Sequence, residues 1–315
     1  MSEETSPGAA IGPFRVVAPL ESGGMETLFL AHRHPSRDIV AVKVIRDQLR
    51  DVPRMVRMFE DEVRTLTYVD HKNVVRVLEA GEYPDGRYLA MEYVHGCTLA
   101  RLLDELEHRG LDLPVAVAVH LAIEVATALH AAHEAVDENG RPLNIVHRDV
   151  SPQNVMISET GRVKLIDFGV AKASGRLEVT NAKLIKGKLR YMAPEQASGK
   201  PIDRRTDVFA LGILLWEMLT SRRFAIGEGD VDIFTRLLDP KATPPSQDNP
   251  AVSAALDAVV LGALSKSPSE RPATGLALAD ALRSSMEVAD CGPALKALVT
   301  DMFGVELAYS RDWIA

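Results

Sequence analysis

The residues best suited to chemistry lie in one stretch: Ile145, Val146, His147, Arg148, Asp149, Val150, Ser151, Pro152, Gln153, Asn154, Val155. It sets a guanidinium, a carboxylate and an amide in a polar loop with apolar residues on both sides. Ile145 and Val146 before it, and Val155, Met156 and Ile157 after it, read as two short strands, so the loop is held at both ends and its polar groups face a defined direction. A second acidic turn follows at Lys164, Leu165, Ile166, Asp167, Phe168 and Gly169. Groups of these kinds offer oxygen ligands for a hard cation and an acceptor for a proton.

The elements that must position these groups follow from the hydrophobic pattern. Residues 14–94 are mostly short β-type runs, at 14–18, 27–32, 39–45, 74–81 and 87–93, separated by turns. One helix interrupts them at 53–70, with Met55, Met58, Phe59, Val63 and Leu66 at helical spacing. A connector over 92–97 leads into helical patterns at 98–107 and 114–135. The expectation is an α+β chain, with a small β-rich part carrying one main helix followed by a larger, mostly helical part. Residues 134–143 form an insertion around an exposed turn, Asp137, Glu138, Asn139, Gly140, Arg141, Pro142, which lengthens the approach to the polar loop. Residues 1–13 are acidic with Gly, Pro and Ala and read as a disordered leader, not a signal peptide. Residues 287–315 carry Leu295, Leu298, Val299, Met302 and Phe303 at helical spacing. They predict a C-terminal helical extension that either docks on the larger part or offers a surface to a partner.

Composition narrows the function classes. The chain has 315 residues, 46% of them hydrophobic, enough for a substantial core. A formal charge of -8 argues against nucleic acid as the main partner, because phosphate backbones call for a basic face. Two cysteines, Cys97 and Cys291, have no metal-ligand spacing and suit a reducing, cytoplasmic setting. The most apolar run, 111–132, is broken by Pro114, His120, Glu124 and His130, so a buried helix is expected there and no membrane span.

The polar loop and acidic turn resemble the H-R-D-x-x-x-x-N and D-F-G motifs of protein kinases. Ala41-Val42-Lys43-Val44 is similar to the kinase V-A-I-K strand, and Glu62 stands where the family places the glutamate that pairs with its lysine, with Glu60 as the competitor. Met192-Ala193-Pro194-Glu195 resembles the A-P-E that closes an activation segment, and Arg271 resembles the late arginine that pairs with its glutamate. The motifs stand in register over residues 14–286, and the chain resembles most the bacterial eukaryote-like (Hanks-type) serine/threonine protein kinases.

That resemblance implies a bilobal kinase fold: an N-lobe over 14–94, a hinge over 92–97 and a C-lobe over 98–286. It implies ATP and Mg2+, with Asp149 accepting the substrate hydroxyl's proton, Asn154 and Asp167 holding metal, and Lys43 pairing with the α- and β-phosphates. Gly23 and Gly24 would lie over the phosphates. Ala41 and Met156 would sandwich the adenine, Met91 would guard the back of its pocket, and the backbone of Glu92 and Val94 would bond to it. Asp207 would hold the backbone of the catalytic loop. Protein substrates with Ser or Thr are implied as partners, and Arg148 would pair with a phosphate on the activation segment, at Thr180 or Ser174.

The chain departs from the family in three places. Ser151 stands where serine/threonine kinases usually carry a lysine, and Lys188 stands where they usually carry a threonine. Lys188 would return the missing cation from the other side, the alternative being a solvated residue on a basic loop with Lys183 and Lys186. Glu21 and Glu26 occupy the first and third positions of the glycine-rich loop, where like charge would oppose a triphosphate. They leave open a second function, a catalytically weak or inactive pseudokinase acting as a nucleotide-binding scaffold.

Overall fold

The alternating apolar residues of the first ninety positions build an antiparallel sheet. The computed structural model describes residues 7–22, 25–168, 189–227, 229–287 and 290–314. Strands β1 (Ala10–Ile11), β2 (Phe14–Ser22), β3 (Glu26–Arg33), β4 (Ile39–Ile45), β5 (Val77–Tyr83) and β6 (Gly86–Glu92) lie in the order β1-β2-β3-β4-β6-β5. One face of the sheet closes over Phe14, Val16, Phe29, Val42 and Tyr88. Helix α1 (Pro53–Thr67) covers the other, burying Phe59 and Leu66 in a core shared with Ile45 and Leu89.

The expectation of a disordered segment over residues 1–13 does not hold at its end. Residues 10–11 are not disordered: Ile11 pairs with Phe14 and is buried in the apolar cluster beside it, a gain of apolar burial that orders this segment. β2 and β3 run longer than their apolar patterns, because ladder hydrogen bonds continue past the last buried side chain, while β5 starts three residues later than expected.

The larger part is helical. Helices α2 (Leu99–Arg109), α3 (Val115–His133), α4 (Pro194–Ala197), α5 (Arg205–Thr220), α6 (Asp230–Leu238), α7 (Ala254–Ala263), α8 (Gly275–Ser285) and α9 (Gly292–Ile314) follow in chain order. α5 is buried from Thr206 through Thr220, and α3 packs against both α5 and α8. α3 is long and apolar enough to cross a membrane by length and composition, but most of it is buried inside the protein, as the core helix of a folded domain would be. The insertion at 134–143 is a tight turn, with Asp137 Oδ1 accepting the backbone N–H groups of Asn139 and Arg141.

A small sheet, β7 (Gly96–Thr98), β8 (Val155–Ser158) and β9 (Val163–Leu165), takes up the polar loop, which runs directly into its central strand β8. α9 lies against β7, β8 and α2, with Leu295, Val299, Phe303 and Leu307 buried. Its ion pairs include Arg101 to Glu306 at 2.7 Å, Arg109 to Asp301 at 2.9 Å and Arg311 to Glu159 at 2.6 Å. Such exposed pairs add little energy but fix register.

Candidate active site

Lys43 is the electrostatic centre of the site. It projects from β4 and is almost fully buried, yet its Nζ meets three carboxylates: Asp167 at 2.5 Å, Glu62 at 2.8 Å and Glu26 at 3.2 Å. Burial alone would lower the pKa of its ammonium, but Asp167, Glu62 and Glu26 carry it well above its ordinary value. Glu62 comes from the buried face of α1, and burial, opposed by Lys43, pushes its carboxyl up to about 7. Glu60, its competitor, instead pairs with Arg87 at 2.6 Å.

Below the lysine lies the polar loop. The carboxylate of Asp207, on α5 and fully buried, accepts the backbone N–H groups of His147 and Arg148, each at 2.8 Å, and the His133 Nε2–H at 2.7 Å. Burial raises the Asp207 pKa, but these donors together hold it below its usual range. With its backbone clamped, Arg148 adopts the left-handed region at φ 66°, as Asp167 does at φ 54°. Two non-glycine residues in that region within one site are strain held by the surroundings, a mark of functional backbone. His147 completes the frame: its Nε2–H donates to the Ile166 carbonyl at 3.2 Å, and its ring lies 4.6 Å from that of Phe168.

Asp149 is buried, and the Asn154 amide donates to its carbonyl at 2.8 Å and to its carboxylate at 3.1 Å. The amide N–H2 of Asn154 being used, its oxygen is what remains to face a cation. Asp167 exposes nearly half of its side chain. Among the described residues no group of three His, Cys, Asp or Glu side chains forms a metal cage, so a cation held by Asn154 and Asp167 would complete its shell with phosphate and water oxygens. That donor set fits a hard divalent cation.

The remaining expected residues fall around this centre. Met91 is buried and lies opposite Ala41 in the β4–β6 ladder, and Met156 lies on β8 opposite Thr98. Glu92 turns its carboxylate onto Lys164 at 2.5 Å and onto the Arg76 N–H at 2.8 Å, tying β6 to β9, and Val94 follows in the connector. Ser151 is buried, and its hydroxyl has no hydrogen-bond partner among the described residues; the same holds for Nε of Arg148. Gly23, Gly24, Ser174, Thr180, Lys183, Lys186 and Lys188 lie outside the described residues.

Arg271 meets Glu195 through two hydrogen bonds, at 2.7 and 2.9 Å, and Thr206 donates to the same carboxylate at 2.9 Å. This bidentate pair joins α4, α5 and the loop before α8.

A model of the protein kinase domain matches residues 14–283. The chain belongs to the protein kinase family. Its fold is the bilobal kinase fold, with a β-sheet N-lobe and a helical C-lobe. The kinase domain is 40% identical over 279 residues to the tyrosine-protein kinase MasK of Myxococcus xanthus, covering 87% of this chain and 43% of that protein. It is 36% identical over 267 residues to the serine/threonine-protein kinase PknB of Mycobacterium leprae, covering 83% and 41%. With the serine/threonine-protein kinase Pkn1 of Myxococcus xanthus it shares 35% over 285 residues, covering 89% and 39%. The chain thus spans about two-fifths of the length of these relatives. The crystal structure of the Mycobacterium tuberculosis PknI kinase domain shares its fold with a TM-score of 0.66 at 24% identity, covering 89% of this chain and 99% of that one.

Sequence reasoning misses two contacts of this site. The glycine-loop pattern groups Glu26 with Glu21, yet Glu21 is exposed and Glu26 reaches Lys43. The signal lies in strand register: Glu26 opposes Ile45 and Leu28 opposes Lys43, which makes Glu26 the diagonal neighbour of Lys43 on one face. His133, one of several polar residues on the mostly apolar α3, gives no sign in the sequence that it reaches Asp207.

Proposed function

We propose that this domain is a serine/threonine protein kinase that transfers the γ-phosphoryl group of ATP to protein hydroxyls. The observation that carries the reading is the convergence of Lys43, Glu62 and Asp167 within 2.8 Å, with Asp149 and Asn154 joined below them. Lys43 orients the α- and β-phosphates, and Glu62 holds the lysine in place. Asp149 accepts the proton of the incoming hydroxyl, so that the oxygen attacks the γ-phosphorus while the bond to the β-phosphate oxygen breaks. Mg2+, held by Asn154 and Asp167, would neutralise the charge developing on the phosphates. Backbone groups at Glu92 and Val94, with Ala41, Met91 and Met156, take the adenine, while Gly23 and Gly24 cover the phosphates.

Lys188 supplies the cation that Ser151 does not. Arg148 receives a phosphate on the activation segment at Thr180 or Ser174, consistent with its free Nε among the described residues. Domain limits of 14–286 with a separate C-terminal helix, docking of that helix on the C-lobe through its buried stripe, and a cytoplasmic location belong to the same reading. The scaffold alternative rests on two hairpin glutamates, of which one faces the site.

The relatives carry both serine/threonine and tyrosine in their names, and the acceptor is decided by experiment. Acid hydrolysis of the protein after incubation with γ-labelled ATP should release phosphoserine or phosphothreonine. Phosphotyrosine as the sole product would overturn the assignment of acceptor, and MasK-like chemistry would replace it.

A further inference from the structure

Two N–H groups of the Lys43 ammonium donate to Glu62 and Asp167, and the third carboxylate at its Nζ, Glu26 from the β2–β3 hairpin, is an ion-pair contact at 3.2 Å without a hydrogen bond. Glu62 is buried on α1, and Asp167 sits on a strained backbone clamped beside the catalytic loop. Glu26 differs from both. It stands at the start of β3, exposes a quarter of its side chain, and has the longest contact of the three, at 3.2 Å. With two donors held by Glu62 and Asp167, an α- or β-phosphate oxygen has to approach the side of the ammonium that Glu26 neutralises, so one carboxylate has to give way. Glu26 is the one whose removal breaks neither the α1 contact nor the metal-binding turn.

Resting on the kinase reading, we infer that Glu26 is a built-in competitor for the phosphate position on Lys43, and that it sets the nucleotide affinity of this domain. Its carboxylate stands in for a phosphate oxygen, keeps the buried ammonium neutralised, and turns to solvent when the nucleotide arrives. The competition concerns phosphate alone: adenosine, with no charged group to place on Lys43, enters the adenine pocket without moving Glu26. Glu21, though also at a glycine position, is exposed and takes no part.

Calorimetric titration of the full chain with ADP and with adenosine, in magnesium buffer, tests this. Glu26→Gln keeps the shape and removes the charge, and should bind ADP about tenfold more tightly than the wild type, the order expected when one partly exposed charge contact no longer has to be broken. Its adenosine affinity should be unchanged, and Glu21→Gln should match the wild type for both ligands. Glu26→Ala should repeat the Glu26→Gln result, which separates lost charge from any new amide contact. Equal or weaker ADP binding by both Glu26 variants would overturn the inference, as would a parallel gain for adenosine, which would signal a general change in the pocket. Binding of neither ligand by any protein, wild type included, would instead remove the kinase reading on which the inference rests.

Discussion

His133 on α3 donates to Asp207 on α5 across 2.7 Å, and neither side chain has any exposed surface. The same Asp207 carboxylate holds the backbone of His147 and Arg148, so the helical core and the catalytic loop meet at one group. An uncompensated buried carboxylate would be costly, and three donors are what make it tolerable.

Replacing Asp207 by Asn should therefore damage the loop more than the fold. An amide has one acceptor oxygen where the carboxylate has two, and its N–H2 would face a backbone N–H. Turnover should fall by at least tenfold, with thermodynamic stability lower by about 1–3 kcal/mol. Urea unfolding combined with phosphotransfer assays would check this; wild-type turnover in Asp207→Asn would show that the clamp does not position the catalytic loop.

The pair of Glu195 and Arg271 gives a pH signature. Burial pushes the Glu195 carboxyl up, but hydrogen bonds from Arg271 and Thr206, its own backbone and the Arg271 charge together hold it below the ordinary value. A depressed folded pKa means that the unfolded chain binds the proton first as pH falls. The stabilisation is thus complete above about pH 4.5 and is lost as pH drops through the lower, folded value. Glu195→Gln should cost about 3 kcal/mol at pH 7, and the gap from wild type should narrow below about pH 4.5. Denaturant titrations at pH 7, 5 and 4 measure it, and a gap independent of pH would contradict the ionic origin.

Gly161 reports on the C-terminal helix. Its φ is +82°, and a Cβ there would lie 2.0 Å from the carbonyl oxygen of Gly292, the first residue of α9. Gly161→Ala has to push the helix start away and bear a left-handed alanine besides, at a cost of about 1–3 kcal/mol. Hydrogen exchange should show faster opening of α9 than of α5; equal protection in variant and wild type would mean that the helix start adjusts freely.

Much of the site is legible in the amino-acid sequence because its residues are local. Asp149 and Asn154 share one loop, Asp167 begins the next turn, and Lys43 sits on a strand that its alternating apolar neighbours announce. The bilobal division is legible for a similar reason, the change of hydrophobic period near residue 98. What stays hidden depends on distance in sequence. His95 reaches Ser310 at 2.8 Å across 215 positions, and neither residue carries a pattern that names the other. Glu26 is ambiguous because a hairpin that continued the pairing of Phe14 with Arg33 would set Glu21 opposite Glu26, whereas two register shifts in β2 set Glu21 opposite Leu28, and no residue pattern announces those shifts. The strand at Ala10–Ile11 leaves no trace in the pattern because two residues are too few for any periodicity to show.

Everything proposed for this domain turns on phosphate transfer with Asp149 as the proton acceptor. Transfer of label from γ-labelled ATP to the purified protein itself and to a generic acceptor such as casein measures it directly, with wild type and Asp149→Asn compared at equal concentration. The wild type should transfer steadily, and the variant should lose at least ~100-fold, the range for removing a general base, while still binding ADP. Equal transfer by the two proteins, or none by a wild type that binds ADP, would contradict that role for Asp149.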